Sequence, residues 1–134
     1  MKKPTLKRLK IKLWDECKRI TRKRHGNTCY TCYKEGLEGH NWQTGHAKPK
    51  GALSLRFQYD LRGLRPQCLN CNIHYGGMTD IFVGRLEKEK EGLEFLNDCC
   101  VKEDGVWRIK SVPLMGGKDS YIFVDDLLKE YAKL

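Results

Sequence analysis

Cys29-Tyr30-Thr31-Cys32 and Cys68-Leu69-Asn70-Cys71-Asn72 are the two stretches that decide how this chain folds. Two residues between cysteines let both thiolates turn onto one ion from a tight knuckle, and two such knuckles complete a closed tetrahedral zinc site. Residues 33–67 separate them, a gap of 35. A simple zinc ribbon spans roughly 15–20 residues, so the gap must house structure of its own. A centre closed by Cys29, Cys32, Cys68 and Cys71 leaves no position for water or substrate. Its Zn²⁺ is therefore structural, and any chemistry lies nearby. The alternative of four unrelated thiols does not account for the doubled spacing. Cys17, Cys99 and Cys100 have no partner at metal spacing, and Cys17 falls on an apolar helix face and reads as core.

Outward from the knuckles, Asn41 to Ala47 reads as a strand that runs into a loop at Lys48-Pro49-Lys50-Gly51. Leu53 to Tyr59 reads as a short apolar strand or helical turn, and Gly76-Gly77 as a break. Upstream, Leu6, Leu9, Leu13, Trp14, Cys17 and Ile20 recur at three- and four-residue steps. They predict a basic helix over Thr5 to Arg24, stopped by Gly26 and Asn27. Downstream, Thr79 reads as the N-cap of a helix to Asn97, with Ile81, Phe82, Leu86, Leu93 and Leu96 as its apolar stripe. Val106 to Ile109 reads as a strand, Gly116-Gly117 as a turn and Asp125 to Leu134 as a terminal helix. The chain divides into a basic helix (5–25), a zinc-stabilised core (29–97) and an extension of unassigned role (98–134), all within one domain.

The 134 residues carry 26 Lys and Arg against 17 Asp and Glu, a formal charge of +9. No apolar run approaches the roughly 18 residues of a membrane span, and the basic N-terminus has no apolar signal-peptide core. The expectation is a cytoplasmic protein with no membrane partner and an anionic ligand, nucleic acid first. The odd cysteine count argues for metal binding over disulfides.

The candidate chemistry sits in Thr44-Gly45-His46-Ala47 and in Cys71-Asn72. A neutral histidine takes a proton from water near pH 7. An asparagine carbonyl is a hard oxygen ligand suited to Mg²⁺. Together they suit phosphodiester hydrolysis, with His46 activating water and an ion stabilising charge on the phosphate. The competing role for His46 is that of a hydrogen-bonded structural residue.

These motifs carry a resemblance. Cys29, Cys32, Gly45, His46, Leu55, Arg56, Phe57, Gln67, Cys68, Cys71, Asn72, Gly76 and Gly77 fall in an order that resembles the phage NinG/Rap recombination-protein family, over about residues 5 to 97. That family in turn looks like the HNH, or ββα-metal, nucleases. The stretch Leu61-Arg62-Gly63-Leu64, followed by Cys68 to Asn72, is similar to endonuclease VII-type Holliday-junction resolvases. The resemblance implies an α+β fold, a small zinc-stabilised ββα-metal core flanked by helices. It implies His46 as general base, Asn72 as ligand of a catalytic Mg²⁺ or Mn²⁺, and Cys29, Cys32, Cys68 and Cys71 as zinc ligands. The zinc would pin the strand bearing His46 against a helix starting near Asn72. A phage origin would place the protein in the host cytoplasm.

One position departs from the pattern. Many HNH nucleases carry Asp or His, a metal ligand, immediately before the catalytic histidine; here that residue is Gly45. His40 lies six residues before His46, roughly 20 Å along an extended strand, too far to share an ion. His74 is expected to reach the site from the first helical turn after Asn72, and Asp60 to brace the loop or ligate. Their competing roles are an exposed histidine and a turn-forming aspartate. Lys48, Lys50, Arg56, Arg62 and Arg65 flank the proposed centre and suit phosphate contacts. Trp42 and Tyr75 could stack on an unpaired base, or Trp42 could pack in the core.

The expected function is thus a metal-dependent endonuclease on branched DNA, Holliday junctions or flaps, acting as a homodimer because two strands are cut. The alternative is a non-catalytic zinc-stabilised nucleic-acid-binding module or phage regulator, favoured by Gly45. A thiol oxidoreductase stands third, since the excess positive charge would then have no purpose.

Overall fold

The computed structural model describes residues 2–134. Helix α1 spans Leu6–His25, with the Thr5 hydroxyl accepting the Arg8 N–H at its start. Leu9, Leu13, Cys17 and Ile20 are buried along one face, the three-to-four-residue rhythm expected of a helix with one covered side. Burial pushes the Cys17 thiol up to about 12, and its Sγ lies 3.7 Å from the Tyr59 carbonyl. Gly26 stops the helix at φ 74, ψ −154, outside the left-handed helical region.

Strands β1 (Gln43–His46) and β2 (Leu64–Gln67) form an antiparallel pair in which Gln43 faces Gln67 and His46 faces Leu64. Between them runs a long connection with one short α-helix, α2 (Leu55–Gln58), flanked by 3₁₀ turns at Lys50–Ala52 and Leu61–Gly63, so the Leu53–Tyr59 segment is a helical turn. After β2 the second knuckle closes as a π-turn over Asn70–His74. Gly76, Gly77 and Met78 then run at positive φ (64, 90 and 53) before helix α3 (Thr79–Leu86). Met78, packed against the cysteine cluster, is the residue that caps α3; Thr79 is already helical.

The helix expected over Thr79 to Asn97 is two helices, α3 and α4 (Lys90–Cys99). The reason is geometric. At about 100° per residue, Phe95 would lie on the side of one straight helix opposite Leu86, yet both are fully buried. The break lets both face the core. Gly92 makes the fold-back possible, because a Cβ there would stand 2.3 Å from the Leu86 carbonyl oxygen. Ile81 and Leu93, expected in the stripe, face solvent at 43% and 39% exposure.

The extension is part of the core. β3 (Cys100–Glu103) and β4 (Val106–Ile109) pair through the Asp104-Gly105 turn, both residues at positive φ. Asp-Gly between apolar runs is a hairpin signature. Trp107 of β4 joins Phe82, Leu86, Phe95 and Leu96 in one cluster. Helix α5 spans Gly117–Tyr131, starting eight residues before the expected Asp125. Ser120, Val124 and Tyr131 are its buried positions, and Val124 and Tyr131 pack with Leu9, Leu13 and Cys17 of α1. α1 and α5 run parallel: Tyr121 reaches the Pro4 carbonyl at one end and Lys23 the Leu134 carbonyl at the other. The β1–β2 pair thus sits between an α1/α5 layer and a layer built from α3, α4 and the second hairpin. Among the described residues, no helix is long and apolar enough to cross a membrane.

A candidate active-site cleft beside a four-cysteine centre

The ligand atoms of Cys29, Cys32, Cys68 and Cys71 all lie within 4.8 Å of one another. The Cys32 and Cys68 sulfurs are 3.7 Å apart. With Zn–S bonds of about 2.3 Å, the edge of a ZnS₄ tetrahedron is about 3.8 Å. Each knuckle is held by its own backbone. Cys29 N–H donates to the Lys34 carbonyl and Tyr33 N–H to the Cys29 carbonyl; Asn72 N–H donates to the Cys68 carbonyl. Cys71 N–H points at the Cys68 sulfur, 3.4 Å away. Burial by itself would push the Cys29 thiol up. Hydrogen bonds from the Cys68 and Cys32 backbones and from Thr31 outweigh it and bring the thiol down to about 6. Burial pushes the Cys32 and Cys71 thiols up, so it is the closeness of the four sulfurs that suits a structural metal such as zinc. Leu37, Trp42 and Met78 wrap the centre.

Beside it lies a cleft of about 430 Å³. Trp14, Lys18 and Arg22 of α1 form one wall, His40 and Trp42 the rim, and Gln43, Thr44 and His46 of β1 the floor. Lys50 and Asn72 complete the lining. The cleft thus gathers His46 and Asn72, 26 residues apart in the chain, with three cationic side chains.

His46 is fixed from two sides. Its Nε2 lies 2.8 Å from the Gln58 carbonyl, and its ring stacks on Trp14 with centroids 5.0 Å apart and planes 11° from parallel. A carbonyl can only accept, so Nε2 carries the hydrogen and Nδ1 holds the lone pair. Burial holds the imidazole down to about 4; the Gln58 bond partly opposes this and Lys50 adds to it. His46 is neutral at physiological pH. Asn72 donates its Nδ2 to Gln43 Oε1 at 3.2 Å. Its Oδ1 has no protein donor among the described residues.

Gly45 has a packing reason. A Cβ there would stand 1.8 Å from Gln67 Oε1. Gln67 is fully buried, and its Nε2 is anchored on Thr31 and on the Gly77 carbonyl. Its Oε1 has no hydrogen-bond partner among the described residues. The space of a side chain at position 45 is occupied by this carboxamide.

The remaining expected site residues scatter. His74 is exposed on the π-turn and does not line the cleft. No helix starts at Asn72 to swing it inward. The Asp60 carboxylate accepts from the Arg62 backbone N–H and guanidinium, so Asp60 braces the loop and is not placed to ligate an ion. Arg62 is also bound to Asp98. Arg65 is only 2% exposed, its guanidinium spent on the Leu61, Arg62 and Leu64 carbonyls and on Glu89 and Glu91. As a phosphate contact, Arg65 is corrected to a structural cation, because a buried guanidinium must find partners inside the protein, and the half-buried Arg62 is engaged by Asp60 and Asp98. Lys48 donates to the Trp107 carbonyl, and Arg56 is exposed, with its guanidinium over the Phe123 ring. Lys50 alone of the five lines the cleft. Tyr75 is 64% exposed. Trp42 is half-buried, stacked under the Arg22 guanidinium at 4.3 Å.

Of Trp14, Lys18, Arg22 and Gln43, sequence reasoning takes Lys18 and Arg22 only as part of a basic, phosphate-tracking helix face and does not single out Trp14 or Gln43. The first three share a helical face, a signal visible at steps of four. It also set His40 aside on the assumption of extended chain. Gly39–Asn41 is a 3₁₀ turn, and it brings His40 to the rim of the same cleft. Family models, curated proteins and solved structures give no match to this chain.

Proposed function

We propose that the protein is a metal-dependent endonuclease of the HNH type that hydrolyses phosphodiester bonds in branched DNA. One observation carries this reading: His46, with Nδ1 as its lone-pair nitrogen, and Asn72 line a single cleft together with Lys18, Arg22 and Lys50. The order β1, β2, knuckle, α3 supports a ββα arrangement, and with it the likeness to the NinG/Rap family.

In this mechanism Lys18, Arg22 and Lys50 hold the phosphates on either side of the cut. His46 Nδ1 takes the proton from the attacking water as oxygen bonds to phosphorus and the bridging P–O bond breaks. Gln58 and Trp14 keep the ring aimed throughout, so little reorganisation is needed at the moment of reaction. Asn72 offers the hard oxygen that suits a divalent cation. Such a cation, when bound, stabilises charge on the phosphate and the leaving oxygen. Two copies would act on a four-way junction, one per strand.

The test is cleavage of a labelled four-way junction and a matched linear duplex, in Mg²⁺ or Mn²⁺, by wild type and His46→Ala. Junction-selective cutting by wild type, lost in the variant with binding retained, is the expected result. The second reading is a zinc-stabilised nucleic-acid-binding module. The occupied space at Gly45 favours it, since no acidic ligand fits there. Tight junction binding without cutting by either protein would establish it.

A further inference from the structure

We infer that a groove along α1 holds an unpaired DNA strand and leads it through the cleft. The inference deepens the endonuclease reading and rests on it. The cleft is one end of a longer groove. A second depression, of about 680 Å³, shares Trp14, Lys18 and Lys50 with it, and Lys7, Lys10 and Ile11 line the part beyond. Lys7, Lys10, Trp14, Lys18 and Arg22 recur at steps of three and four, so they stand in one row on the helix. At about 1.5 Å per residue, the row is about 22 Å long. Trp14, in its middle, stacks on His46, so a strand laid along the row runs past the proposed base.

The groove is cationic. α1 supplies Lys7, Lys10, Lys18 and Arg22, and the loop after β1 supplies Lys50. Asp15 is the one carboxylate in the lining among the described residues, and it is paired with Lys18 at 3.1 Å. The buried Nε of Arg22 has no hydrogen-bond partner among the described residues. Burial lowers the pKa of Lys50, and the charge of Lys10 lowers it further. A chain of phosphates answers these charges together. The groove also suits one strand over two. Depressions of about 430 and 680 Å³ take groups on the scale of a nucleotide. Ile11 stands among the lysines at 56% exposure. An unpaired base has a face to lay on it, whereas a duplex keeps its base faces stacked inside the helix.

The probes are a labelled single-stranded oligothymidylate and a blunt duplex with the same number of phosphates. Binding to the zinc-loaded full chain is followed by fluorescence anisotropy, with no divalent cation added. Wild type should bind the single strand about tenfold more tightly than the duplex. Lys7→Ala with Lys10→Ala should flatten the salt dependence of single-strand binding by about 1.4 units of slope, at roughly 0.7 per phosphate contact. Lys12→Ala with Arg24→Ala removes the same charge outside both depressions and should leave the slope unchanged. Ile11→Ser should weaken single-strand binding several-fold at unchanged slope. Zinc content and circular dichroism confirm that each variant is folded. A duplex bound as tightly as the single strand overturns the inference, as does an equal loss of slope in the two double variants. The outcome separates from the endonuclease reading. Strand binding that depends on Lys7 and Lys10, without junction cleavage, leaves the groove standing and removes that activity. His46-dependent cleavage by a protein that prefers the blunt duplex does the reverse.

Discussion

The His46 imidazole lies nearly parallel to the Trp14 indole, with ring centroids 5.0 Å apart. The two rings come from different layers, β1 and α1, so the N-terminal helix sets the orientation of the proposed base. Lys50 adds a cation to the same indole, its ammonium 4.8 Å from the Trp14 ring centroid. An aromatic pair is worth about 0.5–1.5 kcal/mol beyond burial. That is enough to select one ring orientation.

Trp14→Ala should therefore lower junction cleavage by about tenfold, consistent with losing roughly 1.4 kcal/mol of positioning. Trp14→Phe should recover most of it. The same substitution to alanine opens His46 to water, so its pKa should rise toward the ordinary 6.5. A Trp14→Ala protein with unchanged His46 titration and unchanged rate would show that the stack is only packing.

His46 and His25 are both held down to about 4 from an ordinary 6.5, chiefly by burial. Between those values the unfolded chain binds more protons than the folded one, so stability should fall as pH drops from 6.5 toward 4. Above that window both states carry neutral rings and this contribution is flat. Imidazole resonances followed by NMR should show His46 neutral, with hydrogen on Nε2, in the upper part of that window, at a pH of about 5.5. An inflection at the ordinary histidine value would contradict the buried, carbonyl-bound geometry.

Placing an acidic residue at position 45 should not create a metal ligand. Gly45→Ala already forces a Cβ onto the Gln67 carboxamide, and overpacking of this kind costs about 1–3 kcal/mol. The two positions touch, so their effects should not add. Gly45→Ala combined with Gln67→Ala should cost less than the sum of the single changes, measured by denaturant unfolding. Strict additivity would mean that the chain relaxes around position 45 without Gln67 moving.

The cations should sort by exposure and not by closeness to the knuckles in sequence. The Lys18→Ala, Arg22→Ala, Lys50→Ala triple variant should flatten the salt dependence of DNA binding by about two to three units of slope, at roughly 0.9 per phosphate contact. Arg65→Ala should instead lower stability, because Glu89 and Glu91 lose their buried partner. If Arg65→Ala changes the salt slope with stability intact, the assignment of roles is reversed.

Much of the site is legible in the residues alone. The paired knuckles foretell the four-sulfur cluster because a Cys-x-x-Cys turn is closed by hydrogen bonds within a few residues. The α1 rhythm foretells its buried face for the same local reason. Asp104-Gly105 is a hairpin signal, and the Ser120, Val124, Tyr131 spacing a helical one, that went unused in reading the extension. The helix break between Leu86 and Lys90 is harder to read, since it follows from the need to bury both Leu86 and Phe95.

Local sequence is enough to specify the four-cysteine cluster, the basic first helix and a histidine strand followed by an asparagine knuckle. Each is set by residues close together in the chain, where backbone geometry leaves few choices. Long-range packing is what puts Trp14 behind His46, buries Arg65 while Lys18 and Arg22 line the cleft, and brings His40 to its rim. Those outcomes depend on which surfaces the layers cover, and burial is set by contacts between segments far apart in the chain.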